Sequence, residues 1–251
     1  MQKIWVCGAR GQIGQAVNDV VDKLEFEMLD TDVDDLDVTD TDEVLRFGEM
    51  NRPDIIINCS GMTDISSCEE NPSQAFKVNA LGARNLAIVA AKMQAKMVQL
   101  STDDVFDGKS TEPYTEFDIT NPGTVYGKSK LAGENYVKEF TTKHFIVRST
   151  WVYGKGQNFI NGFLKKVDAG EQLSIASDQF GSPTSANELA RFLLHLVHTS
   201  EYGTYHATNK GVCSRYAFAQ EILKMTGKTA SMQPVPTVMS DFLKTEGGKP
   251  S

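Results

Sequence analysis

Short apolar runs alternate with helix-patterned segments through the first 153 residues, and no other feature limits the fold so tightly. KIWVCG (3–8) reads as a strand running into glycine, and QAVNDVVDKL (15–24) carries apolar residues at helical spacing. FEMLD (26–30) predicts a second strand, TDEVLRFGEM (41–50) a helix, and DIIINCSG (54–61) a third strand buried on both faces. PSQAFKVNALGARNLAIVAAKM (72–93) predicts one long helix opened by Pro72, a residue suited to a first helical turn. KMVQLST (96–102), TVYGKSKLAGENYVKEF (124–140) and HFIVRSTWVY (144–153) continue as strand, helix and strand. This rhythm implies βαβ units with right-handed crossovers, hence an α/β fold with a doubly wound, Rossmann-type parallel sheet.

Beyond residue 154 the pattern loosens. Helices are expected at 158–169, 185–198 and 214–227, with short strands near 173–176, 204–207 and 232–235. The expected organisation is a dinucleotide-binding domain over 1–154 and a smaller substrate-binding lobe over 155–251, interleaved with the end of the sheet. The chain closes on TEGGKPS, unlike the end of a packed domain, so part of the C-terminus is expected to be missing.

The first glycine-rich segment, GARGQIG (8–14), follows the first strand and opens the first helix. Its spacing, Gly8-x-x-Gly11-x-x-Gly14, is one residue wider than the GxGxxG fingerprint but meets the same needs. These are a tight turn, bare backbone for a pyrophosphate at a helix N-terminus, and close helix–strand packing. Gly11, Gln12 and Ile13 then present backbone to the phosphates. Asp30, 22 residues after Gly8, is the carboxylate expected to hold an adenosine ribose hydroxyl. Asp37 and Val38 follow as candidates to line the adenine. Arg10, inside the turn, suits a 2′-phosphate instead. The cofactor is therefore a nicotinamide dinucleotide, NADH or NADPH, and use of either is expected.

A net charge of −8 and a pI near 5.1 argue against nucleic acid or an anionic membrane as the main partner. No apolar run is long enough for a membrane span and the N-terminus lacks a signal-peptide core, so a cytoplasmic protein is expected. Cys7, Cys59, Cys68 and Cys213 are scattered, with no CxxC; Cys7 and Cys59 lie within apolar runs and are expected to be reduced core residues. His195 and His198 have no ligand cluster nearby, and no metal is expected. The acidic run DTDVDDLDVTDTDE (30–43) fails as a calcium loop: from Asp30, the register puts Asp35 where glycine belongs and Thr41 where the bidentate glutamate belongs.

The fourth strand ends in LSTDDVFDG (100–108), and an open α/β sheet binds ligands at its strand C-termini. In TVYGKSK, Tyr126 and Lys130 fall one helical turn apart on one face, a phenol beside an ammonium. With Thr102 they form a candidate acid/base set. Together GARGQIG, LDVTD (36–40), RPDIIINCSGMT (52–63), STDDVFDG, NPGTVYGKSKLAGE (121–134), RSTWVYGKGQNF (148–159) and DQFGSPT (178–184) resemble, in order and spacing, the extended short-chain dehydrogenase/reductases. Within that superfamily the chain is similar to the dTDP-4-dehydrorhamnose reductases, over residues 1–240 or so.

The resemblance implies NAD(P)H-dependent reduction of the 4-keto group of dTDP-4-dehydro-L-rhamnose to dTDP-L-rhamnose. Tyr126 would protonate the C4 oxygen. Lys130 would stabilise the phenolate and hold the nicotinamide ribose, and Thr102 would hydrogen-bond the same substrate oxygen. Ser60, Gly61, Met62 and Leu100 match positions along the cofactor, Asp103 and Trp151 positions that meet the sugar nucleotide. Asn79 matches a structural or proton-relay residue. The partner is a dTDP-sugar, and the expected assembly a monomer or homodimer.

Several positions depart from the family pattern. Asp104 stands where a tyrosine is usual, Met62 replaces an aromatic residue, and Ser66 an aspartate. Ala16 takes the place of a residue that supplies a metal ligand at a dimer contact in some members. The RPxNSxL segment is represented only by Lys249-Pro250-Ser251. Two other readings stay open: a non-catalytic NADP-binding subunit resembling the β-subunit of methionine adenosyltransferase, and a reductase or epimerase of another nucleotide sugar.

Overall fold

In the computed structural model, which describes residues 1–229 and 233–238, the alternation resolves into a six-stranded parallel sheet. The strands are β1 (Gln2–Cys7), β2 (Phe26–Thr31), β3 (Ile55–Asn58), β4 (Lys96–Thr102), β5 (His144–Ser149) and β10 (Gly203–His206). Their order is β10-β5-β4-β3-β1-β2, so the winding direction reverses between β1 and β3. A crevice opens at such a switch point, outside the strand C-termini.

Strand parity decides which side chain faces which layer, because successive residues point to opposite faces. Ile4, Val6, Ile55, Ile57, Val98, Phe145 and Val147 pack on one face against α1 (Gln12–Val20) and α8 (Ala186–Val197). Their neighbours Trp5, Cys7, Ile56, Met97 and Ile146 pack on the other, against α2 (Thr41–Asn51), α5 (Ala83–Met93) and α6 (Val125–Phe140). This double burial explains the continuous apolar run at β3. Asp40 caps α2, its carboxylate accepting from the backbone N–H groups of Asp42 and Glu43 at 3.0 and 2.9 Å.

The helix expected over 72–93 is interrupted. Pro72 does open α4 (Pro72–Phe76), but Lys77–Gly82 is π-helical before α5 resumes. The bulge lies where α6 comes closest: a Cβ on Gly133 would press on the Asn79 carbonyl oxygen. It also turns the Asn79 side chain toward the loop after β3, a use typical of single π-turns. The third strand ends at Asn58 rather than Gly61, leaving residues 59–61 as a loop. A short helix, α3 (Ile65–Glu70), follows; its sequence, ISSCEE, gave no apolar period to read. The fifth strand also stops early. Trp151, at φ 46°, breaks it, and β6 (Val152–Tyr153) turns away to pair with β9 (Thr184–Ser185).

The C-terminal elements contribute to two packing units. α8 and β10 complete the main sheet layers, whereas α7 (Phe159–Asp168) and α9 (Arg215–Met225) enclose a separate small core of Phe163, Val167, Ala219, Ile222 and Leu223. Two short pairings edge it, β7 (Ser174–Ala176) with β12 (Val235–Thr237) and β8 (Phe180–Gly181) with β11 (Cys213–Ser214). The last strand thus sits later than the 232–235 expected, and residue 232 and the Lys249-Pro250-Ser251 ending lie outside the described residues. Among the described residues no helix is long and apolar enough to cross a membrane.

Candidate active site

Two cavities meet at the switch point and share Gly11, Cys59, Ser60 and Gly61 in their walls. One, of about 540 Å³, runs from the glycine loop over the end of β2. The other, of about 680 Å³, lies between the ends of β4 and β5 and the small C-terminal lobe.

The first cavity has a backbone floor. Gly8 adopts φ +76°, and a Cβ there would sit 2.8 Å from the Ser60 nitrogen. Gly14 lines neither cavity; a Cβ on it would lie 2.6 Å from the Ala9 Cα, so its task is to seat α1 against the turn. Gly11 is the N-cap of α1 and no side chain caps the helix, so its first-turn N–H groups face the cavity without a protein carboxylate or hydroxyl. Bare backbone, a free helix N-terminus and an acidic far wall fit a dinucleotide, with the pyrophosphate over Gly11, Gln12 and Ile13. Asp37, Val38, Ser60, Gly61 and Met62 line this cavity, while Gln12, Ile13 and Leu100 line the larger one. Asn79 fixes the Met62 backbone from both sides, accepting from its N–H at 2.8 Å and donating to its carbonyl at 2.9 Å.

Two expectations for this end change. Asp30 is exposed and lines neither cavity, because β2 runs on to Thr31 and the carboxylate just past the strand is Asp32. Asp32 accepts from the Arg10 backbone N–H at 2.8 Å. Arg10 is not free for a phosphate: its guanidinium pairs with Asp34 at 3.1 Å and Asp35 at 2.7 Å, which hold its pKa above the ordinary value.

In the second cavity Tyr126 and Lys130 stand on α6, which begins where Thr124 Oγ1 accepts the Gly127 N–H at 3.0 Å. Gly127 lets the helix press directly on the Asp104 backbone. Lys130 is buried and donates to the Leu100 carbonyl at 2.7 Å; burial lowers its pKa to about 8, against the opposing pull of Glu134. Ser129, between them, accepts from Asn79 Nδ2 at 2.9 Å and donates to the Tyr126 carbonyl at 2.8 Å, tying the loop after β3 to the first turn of α6.

Thr102 ends β4 beside two carboxyls. Its hydroxyl can donate to Asp103 Oδ1 at 3.2 Å and accepts from the Asp104 N–H at 3.2 Å. Asp103 Oδ2 in turn accepts from Thr150 at 2.6 Å. Burial, and then the charge of Asp103, push the Asp104 carboxyl up to about 6. The Tyr126 phenol is pushed well above its ordinary value by burial and then by the Asp104 carboxylate, with a hydrogen bond to Thr102 opposing. The phenol is therefore held protonated, the form that can deliver a proton to an oxyanion.

The far wall of this cavity comes from sequence-distant residues. Trp151 projects into it, and Gly181 is the neighbour that admits the indole: a Cβ there would lie 2.6 Å from the ring. Arg215 stacks on that indole, 3.6 Å from the ring centroid, and on Phe159 at 4.8 Å. Asp32, Gln179 and Arg215 were not singled out from the sequence. Gln179 lies within the DQFGSPT segment and Asp32 within the acidic run, but Arg215 follows a featureless loop that offered no signal.

A switch-point crevice with a glycine floor, next to a Thr–Tyr–Lys cluster, defines a nicotinamide-dependent oxidoreductase of the short-chain dehydrogenase/reductase type. A family model described as RmlD substrate binding domain matches residues 1–245. The spore coat polysaccharide biosynthesis protein SpsK of Bacillus subtilis is 35% identical over 238 residues, covering 94% of this chain and 84% of that protein. The crystal structure of a dTDP-4-dehydrorhamnose reductase from Clostridium acetobutylicum superposes with a TM-score of 0.93 at 42% identity, covering 96% of this chain and 85% of that one. That of the Bacillus anthracis dTDP-4-dehydrorhamnose reductase in complex with NADP gives 0.93 at 37%, covering 96% and 86%. The chain belongs to the dTDP-4-dehydrorhamnose reductase family.

Proposed function

We propose that the protein reduces the 4-keto group of dTDP-4-dehydro-L-rhamnose to give dTDP-L-rhamnose at the expense of NADH or NADPH. The observation that carries this reading is the junction of the two cavities: Tyr126, Thr102 and Lys130 line the larger one where it shares Ser60 and Gly61 with the glycine-floored one.

The reduced nicotinamide, when bound, supplies the hydride. The chain then has to orient the keto oxygen and deliver one proton. Tyr126 is the proton donor, and its raised pKa keeps the proton on the phenol until an alkoxide forms. Thr102 donates a second hydrogen bond to the same oxygen, which draws its hydroxyl from Asp103 to the substrate. Lys130 holds the ribose hydroxyls of the cofactor through the N–H groups not given to Leu100. Gly8, Gly11, Gln12, Ile13, Asp32, Asp37, Val38 and Met62 line or floor the cofactor's path, and Asp103 and Trp151 meet the sugar.

In this reading residues 1–154 carry the cofactor and 155–251 the substrate, with α8 and β10 reaching back into the first layer. One chain supplies the lining residues of both cavities, which suits a monomer or a homodimer with a site in each subunit. Four unpaired cysteines suit the cytoplasm.

The test is to generate dTDP-4-dehydro-L-rhamnose enzymatically, add protein with NADH or NADPH, and identify the sugar while following nicotinamide oxidation. Cofactor-dependent dTDP-L-rhamnose is expected. Binding of both ligands without oxidation would refute the assignment.

A further inference from the structure

We propose that Arg215 binds the diphosphate of the nucleotide sugar, an assignment that rests on the reductase reading and names the group that recognises its substrate's charge. Among the described residues lining the larger cavity, only Lys130 and Arg215 are cations. Lys130 is committed to the inner end, bonded to Leu100 and lying beside Gly61, where the two cavities join. Asp103 and Asp104 line the same cavity and would repel a diphosphate. An anion entering from the small-lobe side therefore has Arg215 as its counter-charge.

The geometry of this side chain suits the task. Its guanidinium carbon lies over the Trp151 indole, 3.6 Å from the ring centroid, a contact that holds the cation through the ring face without using its N–H donors. Nε makes a long hydrogen bond of 3.5 Å to Gln179 Oε1. Among the described residues no carboxylate lies within ion-pair distance of it, and Nη1 and Nη2 have no hydrogen-bond partner there. An arginine held by stacking, with two free Nη groups, offers the planar fork that grips phosphate oxygens in pairs. The backbone is fixed as well: the Arg215 N–H donates to the Gln179 carbonyl at 2.9 Å, and the residue opens α9, which Ser214 caps through the Ala217 N–H at 3.1 Å. Burial lowers the Arg215 pKa to about 10, against the opposing pull of Asp103, Cys213 and Asp104, which leaves it charged at neutral pH.

The placement gives Trp151 a second function. One face of the indole carries the arginine, so the ring braces the charge as well as bounding the sugar.

The test is calorimetric titration of the NADH-saturated protein with dTDP, dTMP and thymidine, with turnover of the 4-keto sugar measured in parallel. The wild type is expected to bind dTDP more tightly than dTMP, and thymidine weakest. Arg215→Ala should lose about 10- to 100-fold in dTDP affinity, the range for charge-assisted hydrogen bonds, with thymidine affinity and NADH affinity unchanged. KM for the sugar nucleotide should rise by the same factor while kcat stays within about threefold. Arg215→Gln, which keeps the stem over Trp151, should show the same loss, and Arg215→Lys should recover part of it. Unchanged dTDP affinity in both neutral variants, or an equal fall for thymidine and dTDP, overturns the proposal. Loss of dTDP binding in the variants of a protein that never reduces the keto sugar would sink the reductase reading and leave the diphosphate site standing.

Discussion

At the β2 end of the crevice the floor is backbone, left bare by Gly8, Gly11, Ser60 and Gly61, and among the described residues the one cation lining it, Arg10, is paired with Asp34 and Asp35. At the β4–β5 end the walls are functional side chains, with Asp103, Asp104, Thr102, Tyr126, Lys130 and Arg215 around one space. The difference follows from what each end must recognise. A pyrophosphate is satisfied by N–H groups that any sequence supplies, provided no Cβ intrudes. A keto sugar needs one proton at one oxygen, and that takes chosen side chains with altered proton affinities.

The contrast predicts that side-chain deletions matter greatly at the second end and little at the first, where only added bulk is harmful. The largest effect is expected for Tyr126→Phe, which removes the proton donor and should lower kcat about a thousandfold with NADH affinity retained. Stopped-flow turnover and fluorescence titration of NADH check the two halves separately, and a lost NADH affinity would mean that Tyr126 serves the cofactor end instead. Gly14→Val comes next. Its Cβ would meet the Ala9 backbone, so α1 must shift, destabilising the protein by about 1–3 kcal/mol and weakening NADH binding. Denaturant unfolding with and without NADH measures it; an unchanged midpoint would show that the loop is looser than its packing indicates.

Asp104→Asn should stabilise. The carboxyl has a folded pKa of about 6 against a lower unfolded value, so the native state binds the extra proton between the two. Stability therefore falls as pH rises through that window, and the full penalty remains above it. At pH 7.5 the variant should gain about 1–2 kcal/mol, after allowing for water that reaches the cavity, and the gain should close as pH approaches 4. Thermal melts at the two pH values decide it, and a pH-independent gain would point to packing rather than charge.

The smallest effect is at Arg10. Because its guanidinium is already paired and exposed, Arg10→Ala should change the Kd of NADH and of NADPH alike, by less than about fivefold. A loss confined to NADPH, read by direct binding, would show that the arginine leaves its aspartates for a 2′-phosphate.

The same two ends differ in how far the sequence could be read. Glycine spacing and strand–helix alternation are local, so the sheet, the glycine loop and the Tyr126–Lys130 turn were legible from residue order. Strand β2 runs one residue past the FEMLD reading, with Asp30 inside it, because a strand's last residue is set by pairing, here Cys7 with Thr31, and not by composition. The π-turn at Lys77–Gly82 arises from contact with Gly133, 51 or more positions away in the chain, which no helical period records. Arg215 meets Trp151 only because the small lobe folds back over β5, and the turn that aims the indole depends on a positive φ that a tryptophan does not advertise. Long-range packing, not local propensity, builds the substrate end.

The most direct measurement is the fate of a labelled hydride. With NADH deuterated at the transferable C4 position and dTDP-4-dehydro-L-rhamnose as substrate, the wild type should yield dTDP-L-rhamnose carrying a single deuterium at C4 of the sugar, and Tyr126→Phe should yield almost none. Nicotinamide oxidation with no deuterium at that carbon, or full labelling by the Tyr126 variant, would contradict the account of a cofactor end and a proton-delivering end meeting at one substrate carbon.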